Sequence, residues 1–211
     1  MKKSTIAIFL LILVIGCLMS CSKSTSDQTA VTPSEQQETA EFADSSVFID
    51  LIMKSYSARN FTEGVVSDEA LEIILQSANK APSAMNAQPW HFTVVKNSDM
   101  ARQLVPRDYK EGAVVIVVSG KPFDRPGLKI AFDAGLASQN IYLAAQALGL
   151  GARLYFGGVQ NVNENLKDVL GIPNGYEAEI IILTAYLDPS TDALTSASPR
   201  RPIEENVNYV D

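Results

Sequence analysis

The sequence predicts one folded domain in which helices cover both faces of a β-sheet, and three observations point to it. Helical and strand periodicities alternate from Ser45 onward, the pattern of a layered sandwich of helices and strands. The run Ala113-Val114-Val115-Ile116-Val117-Val118 is continuously apolar and rich in β-branched residues, which suits a central strand covered on both sides. The composition is globular, with 46% hydrophobic and 19% charged residues in a chain of 211. That balance excludes a wholly disordered chain and a multi-pass membrane protein.

Taken in order, Val47, Leu51, Ile52 and Tyr56 form the apolar face of a first short helix. Ser67 is placed to cap a second one. Asp68 and Glu69 lie in its positive first turn, Leu71, Ile74, Leu75 and Ala78 share one face, and Ala81-Pro82 must end it. His91 to Lys96 reads as a strand, followed by the buried run at 113–118. The longest helical pattern spans Ile130 to Leu150, where Ala134, Ala137, Ile141, Ala144, Ala145 and Leu148 make a stripe of mostly small residues that lets a neighbouring element approach closely. Leu154 to Phe156 suggests a short strand before Gly157-Gly158, and Val162 to Leu170 a helix stopped by Gly171 and Pro173. Glu179 to Leu187, containing Ile180-Ile181-Ile182-Leu183, is a second buried strand. No internal repeat is present.

The chain begins with a different kind of segment. Met1-Lys2-Lys3 is positive, and the apolar run Ile6 to Leu18 falls short of the roughly 20 residues that span a bilayer. It reads as the core of a secretory signal. The run ends Leu18-Met19-Ser20-Cys21, which resembles the bacterial lipoprotein signal, where a thiol takes a diacylglycerol before cleavage on its N-terminal side. The expected organisation is therefore a signal peptide at 1–20, an acylated Cys21 opening a flexible tether at 21–44, and a folded domain at 45–211. The tether, rich in Ser, Thr, Gln and Glu, buries too little apolar surface to offset the entropy of ordering it. This organisation places the protein in the cell envelope, lipid-anchored on the extracytoplasmic side of the membrane. The other reading keeps Cys17 and Cys21 as ordinary apolar residues of an ordinary signal peptide.

Charge and rare residues remove several functions. The net charge is −7 with no basic run, so binding nucleic acid through phosphate neutralisation is not expected. One His and two Cys cannot supply the four nitrogen or sulfur ligands of a structural zinc site. With both cysteines in or at the processed segment, no thiol is left for nucleophilic catalysis or a disulfide. Gly149-Leu150-Gly151 lacks the third glycine of a dinucleotide-binding turn and closes a helix instead of following a strand.

Two segments set polar residues in turns beside apolar elements. Ser55-Tyr56-Ser57-Ala58-Arg59-Asn60-Phe61 puts hydroxyls, a guanidinium and aromatics at a helix end. Ala81-Pro82-Ser83-Ala84-Met85-Asn86-Ala87-Gln88-Pro89-Trp90-His91-Phe92 combines two prolines, two amides and the only Trp of the chain. Such a loop offers donors and acceptors along one edge and apolar atoms along the other, as a flat heteroaromatic ring requires. Each residue also has a plain structural reading: Ser83 as a turn hydroxyl, Asn86 bonded to its own backbone, Trp90 and His91 as parts of the core.

In this order the segments resemble the nitroreductase family, whose opening Arg-Arg-Ser-x-Arg-x-Phe is similar to 55–61 and whose Pro-Ser-x-x-Asn-x-Gln-Pro-Trp is similar to 82–90. Asp133 to Asn140, Gly149-Leu150-Gly151, Leu170 to Pro173 and Pro199 to Glu205 follow in register. The resemblance runs from about Val47 to the C-terminus. It implies an α+β three-layer sandwich with a central mixed β-sheet flanked by helices, an entwined homodimer, and one FMN in a cleft shared between subunits. It also implies an enzyme that takes hydride from NAD(P)H at flavin N5 and reduces a small-molecule electron acceptor, a nitroaromatic, quinone or similar compound.

Carried residue by residue, the resemblance assigns Arg59 to the flavin N1 and C2 carbonyl edge, where a cation favours the reduced ring. Ser57 and Arg200, with Arg201, hold the phosphate through charge-assisted bonds. Asn86 and Gln88 face the ribityl chain or pyrimidine rim, Pro82, Ser83 and Met85 line the ring, and Gly157 and Gly158 let the backbone approach N5. The pattern departs from the family at Ser55, where a phosphate-binding Arg is usual; Lys54 is one residue away on a different helix face. Ser55 and the scarcity of NAD(P)H outside the cytoplasm motivate the alternative, a flavin-free binding or scaffolding lipoprotein that retains the fold. The specialised dehalogenating or flavin-cleaving branches usually depend on an inserted lid, for which the short stretch between Pro106 and Ala113 leaves little room.

Overall fold

A computed structural model of the chain describes residues 45–188, 190 and 199–210. The expected signal segment, Cys21 and the tether to residue 44 lie outside the described residues, as does the tail at 191–198. Helix α1 (Ser45–Lys54) and helix α2 (Asp68–Asn79) open the domain. They are followed by strand β1 (Trp90–Val95), helix α3 (Ser98–Leu104), strand β2 (Val114–Gly120), helix α4 (Ile130–Ala147), strand β3 (Leu150–Tyr155) and strand β4 (Glu177–Tyr186).

Local chemistry explains most of these boundaries. The Ser67 hydroxyl accepts the Ala70 N–H at 3.1 Å and starts α2. Asn97 does the same for α3, accepting the Met100 N–H at 2.9 Å. At the end of α4 the chain leaves the helix through Gly149, at a φ of 76° that an L side chain rarely adopts.

The strands form one sheet in the order β1-β2-β4-β3. Every pairing is antiparallel, with Val94 opposite Ile116, Val117 opposite Ile181 and Leu154 opposite Ile182. The sheet within the described residues is thus antiparallel, not mixed. Strand β2 is buried along its whole length. Its alternate residues enter two separate cores. Val114, Ile116 and Val118 pack with Leu71, Ile74, Ile141 and Ala145 of α2 and α4. Val115 and Val117 pack with Ala101 and Leu104 of α3 and with Val162 and Leu166. Three layers follow directly: helices, sheet, helices and turns.

Three expectations change. Helix α3 is an element the periodicity did not announce. The short strand at 154–156 is instead β3, starting at Leu150, so Gly151 lies inside a strand. The expected helix at 162–170 is a three-residue helical turn, Val159–Asn161, running into a π-type turn, Val162–Leu166. Trp90 is buried as the core reading has it, and its indole N–H donates to Asn79 Oδ1 at 3.1 Å.

The segment from Ser55 to Thr62 straps the sheet, bonding to edge strand β3 and to the end of β4. The Ala58 N–H donates to the Ala152 carbonyl at 3.1 Å and the Thr62 N–H to the Tyr186 carbonyl at 3.0 Å. Gly151 makes room for the strap, because a Cβ there would lie 2.5 Å from Leu187 Cδ2 and 2.9 Å from both Ala58 Cβ and Phe61 Cε1. Gly151→Ala is therefore expected to lower stability by about 1–3 kcal/mol through overpacking. Urea denaturation measures it; an unchanged midpoint would mean that the strap does not depend on this contact.

Candidate active site

The strap carries the first group of polar residues. Ser57 and Arg59 are exposed on it, flanking the buried Ala58. At its start the Ser55 hydroxyl donates to the Ile52 carbonyl at 2.8 Å, and the Tyr56 N–H donates to Gln146 Oε1 of α4 at 3.2 Å. The Tyr142 phenol lies among the same groups. Burial raises its pKa, and hydrogen bonding with Gln146 and Ser55 together with the charge of Arg200 opposes that rise. Ser55 thus lies beside Tyr142 in the second half of α4, and the charge of Arg200 acts on the same phenol. Lys54 points elsewhere, pairing with Asp50 at 2.7 Å along α1. Arg201 donates to Asn206 Oδ1 at 2.8 Å.

The second group is the loop at 82–88. Met85, Asn86 and Gln88 have φ of 55°, 53° and 46°. They are the only non-glycine residues with positive φ among the described residues, and such backbone persists where surrounding bonds over-determine it. Those bonds are present. The Ala84 N–H is shared by both carboxylate oxygens of buried Asp133, at 3.3 and 3.2 Å, in the first turn of α4. The Gln88 N–H donates to Ser83 Oγ at 3.0 Å, and Gln88 Nε2 donates to Asn86 Oδ1 at 3.2 Å. Ser83 is a turn hydroxyl, as its plain reading holds. The tethering leaves Pro82, Met85, Asn86 and Gln88 exposed along the outer side of a rigid loop.

The third group surrounds a cavity of about 410 Å³ between the far end of β3 and the segment after α3. Gly157 and Gly158 line it together with Arg107, Asp108, Arg153 and Tyr155. Arg153 Nη1 donates to Asp108 Oδ2 at 2.9 Å, the Tyr155 hydroxyl donates to the same oxygen, and the Arg153 guanidinium lies 5.1 Å from the centre of the Tyr155 ring. Burial pushes the Tyr155 phenol well above its ordinary pKa, and Asp108 adds to the rise through its hydrogen bond and charge. Gly157 is exposed, and a Cβ added to it meets nothing within 4 Å, whereas at Gly158 it would come 3.1 Å from Ile181 Cδ1.

Strand β3 joins the first and third groups. Ala152 holds the strap, and Gly157 lies five residues further on, roughly 16 Å along an extended chain. The loop at 82–88 stands apart from the strap within one chain, since its anchor Asp133 and the strap's anchor Gln146 occupy opposite ends of α4, roughly 20 Å apart along the helix. Sequence reading missed Asp108, Arg153, Tyr155, Tyr142 and Gln146. The signal available was Arg153 and Tyr155 alternating with Ala152 and Leu154, a polar face on a strand that otherwise looks wholly apolar.

Comparison with known proteins places this arrangement. Residues 52–128 and 109–186 match the nitroreductase family. A protein of Archaeoglobus fulgidus named as an NADH dehydrogenase/NAD(P)H nitroreductase is 32% identical over 150 residues, 65% of this chain and 84% of that one. A similarly named protein of Methanothermobacter thermautotrophicus is 37% identical over 112 residues, covering 49% of this chain and 58% of its own length. Among solved structures, a Desulfovibrio desulfuricans nitroreductase-like protein in complex with FMN superposes with a TM-score of 0.64 at 28% identity, over 77% of this chain and 96% of that one. A nitroreductase family protein of Clostridium difficile 630 gives 0.65 at 25% identity, over 77% and 97%.

The loop's dependence on α4 is open to direct measurement. Asp133→Ala removes the acceptor of the Ala84 N–H and is expected to cost about 1–3 kcal/mol. Amide exchange should accelerate at 84–88 while the β2 and β4 amides stay protected. Unchanged exchange in the loop would show that it holds its shape without Asp133.

Proposed function

The chain belongs to the nitroreductase family, and we propose that it is an FMN-dependent oxidoreductase taking hydride from NAD(P)H and reducing a nitroaromatic, quinone or similar small acceptor. The observation that carries this reading is the polar track along the free edge of β3. Hydroxyls and guanidinium groups collect near the strap, and at the other end an exposed glycine adjoins a cavity of ligand size. Nothing in this chain's packing requires glycine at 157, since a side chain would have open space. A planar ligand lying on the backbone there supplies the reason. The residues present fit FMN on these grounds.

When bound, FMN supplies the redox chemistry, accepting hydride at N5 and yielding the electrons to the acceptor. The protein's part is to bind and tune. Ser55, Ser57 and Arg200, with Arg201 nearby in sequence, would hold the phosphate through charge-assisted bonds. Arg59, beside the strap residue bonded to Ala152, would place its charge at the N1 and C2 carbonyl edge, and Gly157 and Gly158 would leave N5 open. Pro82, Ser83, Met85, Asn86 and Gln88 would complete the cleft from a second copy of the chain. Antiparallel packing of two α4 helices would bring the loop end of one to the strap end of the other. Helix α4 supports this, for it is apolar on two sides: Ala134, Ala137 and Ile141 are buried, while Phe132 is 69% and Leu136 44% exposed. Val47, Phe48, Ile49 and Met53 of α1 add exposed apolar surface.

Titrating the purified flavoprotein with NADH or NADPH without oxygen should bleach the flavin, and a nitroaromatic or quinone should restore its colour. A flavin that dithionite reduces and neither nucleotide does would overturn the hydride step. Arg59→Ala should make the midpoint potential more negative by roughly 30 mV for each tenfold loss of preference for the reduced ring. Arg200→Ala should weaken both redox forms alike. An unshifted potential in the Arg59→Ala flavoprotein would remove Arg59 from this role.

The N-terminal segment supports a lipid anchor at Cys21 and an extracytoplasmic location in the cell envelope, with residues 21–44 as tether. Cys21→Ala is expected to move the protein from the membrane to the soluble fraction. Retention of that variant on membranes in high salt would contradict lipidation.

A further inference from the structure

The segment between β2 and α4, residues 121–129, runs alongside the loop at 82–88. The Lys121 N–H donates to the Pro89 carbonyl at 2.9 Å, Arg125 Nη1 donates to Met85 Sδ at 3.5 Å, and just beyond the segment Asp133 holds the Ala84 N–H. Gly120 and Ile130 close its base, since a Cβ at Gly120 would fall 2.0 Å from Ile130 Cγ1. At its tip the Leu128 N–H donates to the Arg125 carbonyl at 3.3 Å, and Gly127 has a φ of 85°. With Pro126 before that glycine the tip is a type II turn. Arg125 therefore stands at the start of a fixed bend.

The segment is basic in an acidic protein. Lys121, Arg125 and Lys129 are exposed, and Asp124 is the only carboxylate within 121–129, in a chain of net charge −7. None of the three cations enters an ion pair among the described residues. The side-chain acceptor that Arg125 meets is a thioether, a weak one. Water alone satisfies an exposed cation, so charge by itself assigns nothing here; position does. Met85 is read above as lining the flavin ring, and a hydride donor must lay its nicotinamide against that ring. The remainder of NADH or NADPH is a phosphate-bearing chain that has to leave the cleft past its rim. We propose that Arg125, with Lys121 and Lys129 at the base of the same segment, binds the phosphates of the nicotinamide nucleotide while it reduces the flavin. Guanidinium suits that task, because its planar N–H groups pair with phosphate oxygens through charge-assisted bonds. This rests on the FMN reading above and adds to it the residues that recognise the donor.

The test sets NADPH and NADH against N-benzyl-dihydronicotinamide, a hydride donor with the same reacting ring and no phosphate. Anaerobic stopped-flow reduction of the full-length, FMN-loaded protein gives an apparent Kd and a limiting rate for each donor. Arg125→Ala should raise the Kd for the nucleotides about tenfold and keep the limiting rate, and Arg125→Lys should recover part of the loss. The neutral donor should reduce the wild-type and Arg125→Ala proteins at the same rate. Calorimetric titration of the oxidised flavoprotein with NADP+ should show the same loss of affinity without turnover. A larger loss for NADPH than for NADH places the extra ribose phosphate on Arg125; an equal loss places the shared pyrophosphate there. Unchanged nucleotide affinity in Arg125→Ala would overturn the assignment and leave the FMN reading intact. So would an equal loss with the neutral donor, which would mean a disturbed Met85. A wild-type flavoprotein that the neutral donor reduces and neither nucleotide does would overturn the hydride step and this inference together. If Arg125→Ala fails to fold, the wild-type protein still decides: added salt should weaken NADPH binding and leave the neutral donor unaffected, and a Kd for NADPH indifferent to salt would overturn the proposal.

Discussion

Burial of β2 and β4 on both faces is the constraint from which the remaining architecture follows. From Val114 to Gly120 no residue of β2 is exposed, and β4 is buried from Ile180 to Ala185. Neither strand has a face for water, so each face must be covered by another layer. Helices α2 and α4 cover one, α3 and the turns around Val162 and Leu166 the other. Burying this much branched apolar surface is the dominant favourable contribution to folding. It also fixes register, because a slip of one residue would exchange the two cores.

With the centre of the sheet committed to packing, chemistry is confined to its rim. Strand β3 is an edge strand: the Ala152 carbonyl takes the strap, while Arg153 and Tyr155 project from the sheet face they share with Leu183 and Ile181. Helix α4 is built the same way: its middle supplies Ala137 and Ile141 to the core, while its ends carry Asp133 and Gln146, which hold the two polar loops. A rigid sheet and one long helix thus anchor both the strap and the loop of the proposed site. The loops need little structure of their own beyond the hydrogen bonds that dock them.

Much of the fold was legible because it obeys simple periods. Six β-branched or small apolar residues at 113–118 can be little else than a central strand, and Ser67 with Asp68 and Glu69 marks a helix start by chemistry alone. Strand direction was not legible, since residue period is the same in parallel and antiparallel ladders, and the expected mixed sheet proved antiparallel among the described residues. Helix α3 escaped because seven residues with only Ala101 and Leu104 buried leave almost no periodic signal. The positive φ of Met85, Asn86 and Gln88 was hidden too, since no glycine announces it. At the site, motifs brought out the strap and the loop, whereas the Asp108–Arg153–Tyr155 unit joins residues some 45 positions apart. Such a pairing belongs to the tertiary fold and has no local trace beyond one Arg in an apolar strand.

The central claim is that the rim of β3 holds a flavin mononucleotide. Heat denaturation of the full-length protein, purified without added cofactor, followed by mass spectrometry of the released small molecules, tests it most directly. The account requires FMN at close to one molecule per chain. A properly folded protein that releases no flavin, and takes up none when FMN is supplied, would contradict it.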